Sequence, residues 1–270
     1  MKNPFKKFIK AYRGYTKRLR ANQESWFLRP LFLTYDLYVK KHGNIYFSSF
    51  GEDIVLKNIF HRKQGGLYVD VGCWHPKWGS NSYLLHHKGW EGINIDMDAF
   101  KIEMFNISRK NATNVCTAIS DEVKNITYFS SKDHSAMNTI DPEFAKAATD
   151  SKQGLDYELK KTTSRTLDSI IAATQHASTE IDLLSIDVEG HELPVLRSLD
   201  FELYKPKVLV VELHEETIEA ILEHELYKYI TSKKYSLFSW VLPSLIFVRH
   251  GYLANNAVVP SSKTRASEST

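Results

Sequence analysis

The chain has 270 residues, 43% of them hydrophobic and 12% aromatic, which is enough for one sizeable core and excludes an intrinsically disordered protein. No stretch is apolar over the roughly 18 residues that cross a membrane, and the N-terminus lacks the apolar run of a secretory signal, which disfavours a membrane-spanning or exported protein. Two cysteines form neither a disulfide framework nor, alone, a structural zinc site, so we expect a protein of the reducing cytoplasm.

The first 20 residues form a basic arm. They contain eight lysines and arginines and no acidic residue, which leaves a net charge of −5 on the other 250 residues against +3 for the whole chain. Apolar residues recur there at helical spacing, so a helix would oppose an apolar stripe to a cationic one. It can lie on the inner face of a membrane, dock on a partner or pack on its own domain, and it does not indicate nucleic-acid binding. We assign this amphipathic extension to residues 1–48.

Helices and strands alternate along the next part of the chain. Ser49 and Glu52 predict a capping box at the start of a helix that ends near residue 62. A polar, turn-rich stretch over 130–163 then interrupts the alternation, with a helix start at Asp141, and a loop of that length usually covers an active site or is disordered. Between these two features we predict strands over 67–71, 92–96 and 114–119, and helices over 81–88 and 100–109.

The second half of the chain resumes the alternation and ends in a hairpin. We predict strands over 181–187, 207–213, 235–241 and 245–249, helices over 167–173, 192–199 and 217–230, and a disordered tail over 253–270. Such alternation predicts a parallel sheet with helices on both faces and right-handed crossovers. Because the hairpin cannot be parallel to itself, we expect the sheet to be mixed at one edge.

Ligands of a doubly wound sheet bind beyond the carboxyl ends of its strands. At these ends the sequence has Asp70 and Gly72, then Asp96, and later Asp187. Gly72 allows a ligand to approach the backbone, and a carboxylate at Asp96 can bind both hydroxyls of a ribose, although an acid there can also simply cap a helix. The bulky residues after Gly72 exclude a glycine-rich pyrophosphate turn. Asp70 repels phosphate but attracts an ammonium group, so the pattern points to S-adenosylmethionine.

Five motifs, in order, extend this interpretation over about three quarters of the chain. They are Phe50–Leu56, Asp70–Gly72 with Pro76 and Ser80–Leu85, Lys88–Asp96, Ile186–Leu193, and Pro206–Glu212. Together they resemble the FkbM family of methyltransferases. The sequence departs from the family pattern at Ser49, Cys73, Trp74, Met97 and His191. These departures leave the identity of the methyl acceptor undetermined, but they do not affect the predicted fold.

The resemblance implies an α/β, Rossmann-like class I methyltransferase fold over residues 49–252. It further implies a seven-stranded mixed sheet with an antiparallel strand in the terminal hairpin, S-adenosyl-L-methionine as donor, and an oxygen acceptor on a sugar or surface glycan. The predicted cofactor-binding residues are Glu52, Asp70, Gly72, Ser82, Asp96, Ser120 and Asp187.

Transfer to a hydroxyl needs alignment of the reacting atoms and a base. We predict Asp187, His191 and His214 as catalytic residues, with His75 and Glu192 as further candidates; the histidines can also be ordinary surface residues. Carboxylates and imidazoles there can hold a divalent metal, but no ligand spacing demands one, and we predict none.

Two other functions stay open at this point. The chain can be a non-catalytic scaffold that binds S-adenosylmethionine and recruits a glycan-assembly partner through its basic arm. It can also be a nucleotide-sugar enzyme, which the missing pyrophosphate turn disfavours. Neither the acceptor nor the oligomeric state follows from the sequence.

Overall fold

The structure is a computed structural model and describes residues 46–131, 137–150 and 156–253, which belong to one compact unit, Tyr46–Thr270. The predicted amphipathic helix in the basic arm and nearly all of the predicted disordered tail lie outside the described residues. Among those described, no helix combines the length and the apolar composition needed to cross a bilayer.

Ten strands and nine helices make up the described part of the chain. The strands are β1 (Leu67–Val71), β2 (Glu91–Asp96), β3 (Thr113–Cys116), β4 (Ala118–Ile119), β5 (Asn125–Ser131), β6 (Tyr157–Arg165), β7 (Leu183–Ile186), β8 (Val208–Glu212), β9 (Tyr235–Val241) and β10 (Ser244–Arg249). The helices are α1 (Glu52–Ile59), α2 (Tyr83–His87), α3 (Ala99–Ser108), α4 (Pro142–Asp150), α5 (Leu167–Ala172), α6 (Glu192–Arg197), α7 (Phe201–Tyr204), α8 (Ile218–Glu223) and α9 (Glu225–Ser232).

Seven strands form the main sheet in the order β3-β2-β1-β7-β8-β10-β9. All neighbours from β3 to β8 are parallel, whereas β10 is antiparallel to both β8 and β9. The predicted seven-stranded mixed sheet with an antiparallel strand in the terminal hairpin is therefore confirmed. The order reverses between β1 and β7, and in open α/β sheets such a reversal opens a crevice for ligands at the carboxyl ends.

The core lies on both faces of this sheet because its central strands are apolar on both sides. Leu67, Val69 and Val71 of β1 pack into the larger core cluster, while Tyr68 packs into a second cluster on the opposite face. Successive side chains of a strand point to opposite faces, so a continuous apolar run serves both layers. The carboxyl ends of β1 and β7 are thereby fixed in a rigid framework.

The start of α1 differs from the predicted capping box. Gly51 occupies the N-cap with φ of 99°, and no side chain caps it there. Instead, Ser48 Oγ accepts hydrogen bonds from the backbone N–H groups of Gly51 and Asp53, while the Asp53 carboxylate accepts one from the Ser48 N–H. The reciprocal pairing that we predicted for Ser49 and Glu52 is thus made by Ser48, one residue earlier, and by Asp53, one residue later.

Two predicted elements are each divided. The predicted strand over 114–119 becomes β3 in the main sheet and β4 in a second sheet. The predicted helix over 217–230 becomes α8 and α9, because His224 has extended backbone angles and its Nδ1 accepts the Leu226 N–H as an N-cap. The short helix α7 was not predicted.

We predicted a long loop with a helix start at Asp141 over 130–163; the helix start is confirmed, since α4 begins at Pro142, but much of the rest is not a loop. The stretch contributes to β5, α4 and β6, and β5 and β6 pair in antiparallel register from Asn125↔Thr163 to Ser131↔Tyr157. With β4 they form a three-stranded sheet in the order β4-β6-β5. Residues 137–141, just before α4, reach the carboxyl ends of the main sheet, so part of this insertion does cover the site.

Candidate active site

A cavity lies beyond the carboxyl ends of β1, β2 and β7. Three of the predicted cofactor residues line it, namely Gly72, Asp96 and Asp187, together with the predicted catalytic residue His191. An apolar wall at the ends of three strands is formed by Val71, Ile95, Ala118 and Ile119. The rest of the lining consists of Met97, Lys101, Thr117, Asn138, Ile140 and Val188. The cavity therefore occupies the crevice that the strand order predicts.

Gly72 is fixed by a steric requirement. It has φ of +78°, and a Cβ atom built on it would lie 1.6 Å from the backbone oxygen of Asp187. Its N–H donates to the Ile95 carbonyl at 2.9 Å, which ties the β1 end to β2. The glycine thus lets the two loops that follow β1 and β7 meet under the cavity, a reason for its presence besides the predicted approach of a ligand.

Asp96 contributes a carboxylate to the cavity wall. Its Oδ1 accepts the Asp98 N–H at 2.8 Å, and its Oδ2 accepts the Trp74 N–H at 3.3 Å and lies 3.8 Å from Lys101 Nζ. Burial raises the pKa of Asp96, although Lys101 and the two N–H donors act in the opposite direction. The carboxylate is therefore held in one orientation by groups from both flanking loops.

Asp70 does not line the cavity. Its side chain is buried behind it and accepts a hydrogen bond from the Ser82 hydroxyl. Burial raises the pKa of Asp70, while Ser82 and the nearby Arg109 partly offset this effect. The predicted contact of Asp70 with an ammonium group stays a prediction, but the structure gives Asp70 and Ser82 a common task in fixing the loop that follows β1.

Arg109, which the sequence analysis missed, organises that loop. Its side chain is only 1% exposed, and its guanidinium donates to the carbonyl oxygen of Pro76 and to the oxygens of Ser80, Ser82 and Asn94 at 2.6–3.2 Å. Through Ser82 the cation is coupled to Asp70. A lone arginine at the end of a helix has no sequence signal for this role, because its partners come from β2 and a distant loop.

Ser120 and His191 are brought together. His191 Nε2 lies 3.0 Å from Ser120 Oγ, and burial lowers the pKa of His191 below the usual histidine value. A neutral imidazole at neutral pH can accept a proton, as the predicted catalytic role requires. Ser120 itself lies outside the cavity lining. Its hydrogen bond orients His191.

Glu52 lies at the same edge of the main sheet but outside the cavity lining. Its carboxylate accepts from the Phe50 N–H and from the Ser244 hydroxyl, which joins the start of α1 to β10. Its predicted contact with the cofactor is untested and stays a prediction.

An acidic group of side chains lies where β7 and β8 end. The surrounding protein and the neighbouring Glu212 carboxylate raise the pKa of Asp187 well above its usual range, although the Asp187 side chain stays open to the cavity. Burial likewise raises the pKa of Glu189. Burial opposes ionisation of Glu212 too, but its contact with His214 leaves its pKa lowered.

His214 neutralises part of this charge. Its Nε2 lies 3.6 Å from Glu189 Oε2 and 3.4 Å from Glu212 Oε2, and these two carboxylates raise the pKa of His214 to about 10. In this arrangement His214 is an imidazolium at neutral pH. It has no lone pair for a substrate proton, so it does not fit the predicted role of a base.

Glu192 supports the turn between β7 and α6. Its Oε1 accepts the N–H groups of Val188 and Gly190, each at 3.1 Å. Burial raises the pKa of Glu192 to about 7 despite these hydrogen bonds. Because both bonds hold the loop that carries Asp187 and Glu189, we assign Glu192 to the support of this loop and not to proton transfer.

Residues 137–141 pass over the cavity. Thr139 exchanges backbone hydrogen bonds with Phe129 of β5 and donates from its hydroxyl to the Glu189 carbonyl oxygen at 2.6 Å. Asn138 and Ile140 on either side line the cavity. The insertion is thereby attached to the loop after β7, and one polar and one apolar side chain close the site from above.

These residues fit S-adenosylmethionine. The aliphatic wall of Ile95, Ala118 and Ile119 suits a purine base, and the fixed carboxylate of Asp96 suits the two hydroxyls of a ribose. The absence of a side chain at Gly72 keeps the carboxyl end of β1 open between them.

Comparison with known proteins agrees with this geometry. Residues 64–237, more than half of the chain, match the family model described as the methyltransferase FkbM domain. This range includes β1 to β8 and every residue named above as lining the cavity. Among curated proteins, none matches the chain significantly.

Several solved structures are similar to the chain at low identity. The methyltransferase FkbM from Methylobacillus flagellatus KT is 14% identical with a TM-score of 0.44, and the match covers 68% of this chain but only 44% of that one. A TehB-like SAM-dependent methyltransferase from Corynebacterium glutamicum ATCC 13032 Kitasato is 14% identical with a TM-score of 0.39, over 85% of this chain and 99% of its own. WbdD is 15% identical with a TM-score of 0.35, over 73% and 34%. With TM-scores below 0.5, none of these likenesses bears on function.

Proposed function

We propose that this chain, which belongs to the FkbM family of methyltransferases, transfers the methyl group of S-adenosylmethionine to a hydroxyl oxygen, on a sugar or surface glycan. One observation carries the proposal: Gly72, Asp96 and Asp187 meet around one cavity, at the carboxyl ends of three adjacent parallel strands. The family implies S-adenosylmethionine as the donor, and the residues that line the cavity suit it.

The donor side of the cavity would bind and orient S-adenosylmethionine. Asp96, fixed by the N–H groups of Asp98 and Trp74, would hold the ribose hydroxyls, and the aliphatic wall would hold the base. Arg109 keeps the loop after Gly72 in place from behind. Bound S-adenosylmethionine supplies a methyl group that its sulfonium already activates, so the protein has to align the acceptor and remove one proton.

The acceptor side provides the proton acceptor. Asp187 faces the cavity, and its raised pKa makes it a stronger base than an ordinary carboxylate. His191 lines the same cavity as a neutral imidazole held by Ser120. We assign removal of the hydroxyl proton to Asp187, with His191 as its nearest helper, while Asn138 and Ile140 exclude water from above.

Transfer of a radioactive methyl group tests this proposal. Purified protein and labelled S-adenosylmethionine are incubated with a glycan extract and, separately, with a protein extract. Label in the glycan fraction supports the proposal. Tight binding of S-adenosylmethionine without transfer to any fraction would instead indicate a non-catalytic scaffold, and binding of a nucleotide sugar in its place would contradict the assigned donor.

The basic arm would localise the enzyme and not build the cavity. Its eight basic residues precede the described part of the chain, and the family match begins only at residue 64. Deletion of residues 1–20 should leave S-adenosylmethionine affinity unchanged and reduce binding to vesicles that contain anionic lipid. Equal vesicle binding by both forms would remove the membrane from the proposal and leave a protein partner to be sought.

A further inference from the structure

We propose that Glu189, Glu212 and His214 form a binding site for one divalent metal ion. These side chains offer two carboxylate oxygens and one imidazole nitrogen, and the three atoms lie within 4.8 Å of one another. This donor set suits divalent ions such as Mn²⁺, Fe²⁺ and Zn²⁺, which accept mixed oxygen and nitrogen ligands. The site is next to the cavity and not part of its lining.

The spacing of the ligand atoms fits a single ion. His214 Nε2 lies 3.6 Å from Glu189 Oε2 and 3.4 Å from Glu212 Oε2. Two ligand atoms that are each about 2.1 Å from a tetrahedral ion lie about 3.4 Å apart. The three side chains therefore need little rearrangement to coordinate a metal.

A buried oxygen without a hydrogen bond points to a missing ligand. Glu212 Oε2 is shielded from solvent and has no hydrogen-bond partner among the described residues, since His214 Nε2 approaches it only as an ion pair. The side chains of Glu212 and Glu189 are only 12% and 10% exposed. Among the described residues, the His214 imidazolium at 3.4 Å is the cation that offsets the burial of this oxygen. A metal ion at this point would take its place and satisfy the oxygen directly, since the ligand atoms of Glu189 and His214 converge there.

The backbone holds two of the three ligands in place. Glu212 ends β8 and pairs with Ser244 of β10, and the next N–H along the chain, that of Leu213, donates to the Pro243 carbonyl at 3.1 Å. The carbonyl of Glu189 accepts the Thr139 hydroxyl. The His214 side chain is 53% exposed, which provides a path for the ion from solvent.

Metal binding exchanges one cation for another. The imidazolium proton of His214 leaves to solvent, and the freed Nε2 lone pair binds the ion. Two carboxylates then neutralise the dication. Because Glu212 also contacts Asp187, the ion lies beside the group that we assign as the base, where it would bind hydroxyl oxygens of the acceptor; this last point rests on the proposed function.

Titration of the full-length protein with Mn²⁺ tests the site. After treatment with EDTA and its removal, free Mn²⁺ is followed by electron paramagnetic resonance for the wild type, His214→Gln, Glu212→Gln and the control Glu216→Gln. Glu216 is exposed and lies close by in the sequence. We expect one Mn²⁺ per chain, the same affinity in the control, and a loss of at least about tenfold in the other two variants, since even outer partners of metal ligands are worth that much.

Two results would overturn the proposal. One is the lack of saturable Mn²⁺ binding by the wild type at millimolar concentration, and the other is equal binding by the wild type and His214→Gln. Circular dichroism checks that each variant is folded; if Glu212→Gln is not, the exposed His214 still provides the test. S-adenosylmethionine is titrated into the same samples, so failure of the metal site and failure of the proposed function are read separately.

Discussion

Arg109 donates two hydrogen bonds to the carbonyl oxygen of Pro76, from Nη2 at 2.6 Å and from Nε at 3.2 Å. This pair joins the end of α3 to the middle of the loop that follows Gly72. Among the described residues, no carboxylate lies within ion-pair distance of the buried guanidinium; neutral oxygens satisfy it instead. Its charge thus serves to order a loop.

Replacement of Arg109 by lysine should destabilise the protein and weaken cofactor binding. An ammonium group cannot reproduce the planar fork, so several buried oxygens lose their donors, each at about 1–3 kcal/mol if water does not replace the bond. We expect a loss of about 2–4 kcal/mol in the free energy of urea unfolding. The control is Arg197→Lys on the exposed face of α6, which should change it by less than about 0.5 kcal/mol. Equal stability of both variants would contradict the role of Arg109.

Replacement of Gly72 by alanine should be far more harmful than the same change at Gly89. Both glycines have positive φ, of 78° and 84°, but only at Gly72 does the new Cβ meet backbone atoms, whereas it meets nothing within 4 Å at Gly89. Gly89→Ala should cost about 1–2 kcal/mol, the penalty of left-handed backbone alone. Gly72→Ala should cost more than about 3 kcal/mol and abolish S-adenosylmethionine binding. Similar unfolding curves for the two variants would show that the contact with Asp187 is not a constraint.

The main sheet could be predicted from the sequence because its strands are continuous apolar runs. β1 and β8 are buried over nearly their whole length, and such runs have few other uses in a chain with alternating helices. Gly72, Asp96 and Asp187 could be found for the same reason, since the end of each run marks the carboxyl edge where ligands bind.

The second sheet could not be predicted in this way. In β6 only Ser164 is buried, and charged residues such as Glu158 and Lys160 lie in the strand. Its pairing with β5 depends on a register between segments about 30 residues apart, which local patterns do not contain. The same holds for Arg109 and for the group formed by Glu189, Glu212 and His214, whose members meet only in the fold.

Glu192 should make stability depend on pH. The pKa of Glu192 is about 7 in the folded protein, against 4.5 for a glutamate without such surroundings. The folded state therefore binds this proton more tightly than the unfolded state does. Stability therefore falls as pH rises from about 4.5 to about 7. Glu192→Gln removes this dependence while still accepting the N–H groups of Val188 and Gly190. Relative to the wild type, it should gain up to about 3 kcal/mol between pH 4.5 and pH 8.

Urea unfolding at the two pH values measures this difference, with Glu216→Gln as the exposed control. An equal change in the wild type and in Glu192→Gln would mean that Glu192 is already ionised in the folded protein at low pH. If Glu192→Gln is less stable than the wild type at both pH values, the new amide group lacks a hydrogen-bond partner.

Asp187→Asn should slow the chemical step and leave donor binding in place. Loss of a general base lowers the rate about 10²- to 10⁴-fold, and the asparagine side chain fills the same space. His191→Ala should have a smaller effect, and the rate of the wild type should rise with pH above the usual carboxyl range, because Asp187, whose pKa burial raises, accepts a proton only when it is ionised. Single-turnover methylation of an identified acceptor is the measurement. Rates within about threefold of the wild type for both variants would place the base elsewhere, with His75 next to be tested.

The central claim, that S-adenosylmethionine binds in the cavity at the carboxyl ends of β1, β2 and β7, is tested most directly by calorimetric titration of the wild type, Asp96→Asn and Glu91→Gln. Glu91 begins the strand that Asp96 ends and is exposed. Asp96→Asn also leaves the buried Lys101 without its counter-charge, so the titration is made at a temperature where circular dichroism shows all three proteins folded. We expect one-site binding by the wild type and by Glu91→Gln, and a Kd about 10- to 100-fold higher for Asp96→Asn, as the loss of a hydrogen bond to a charged group predicts. Equal affinity in all three proteins, or no binding by the folded wild type, would contradict the account.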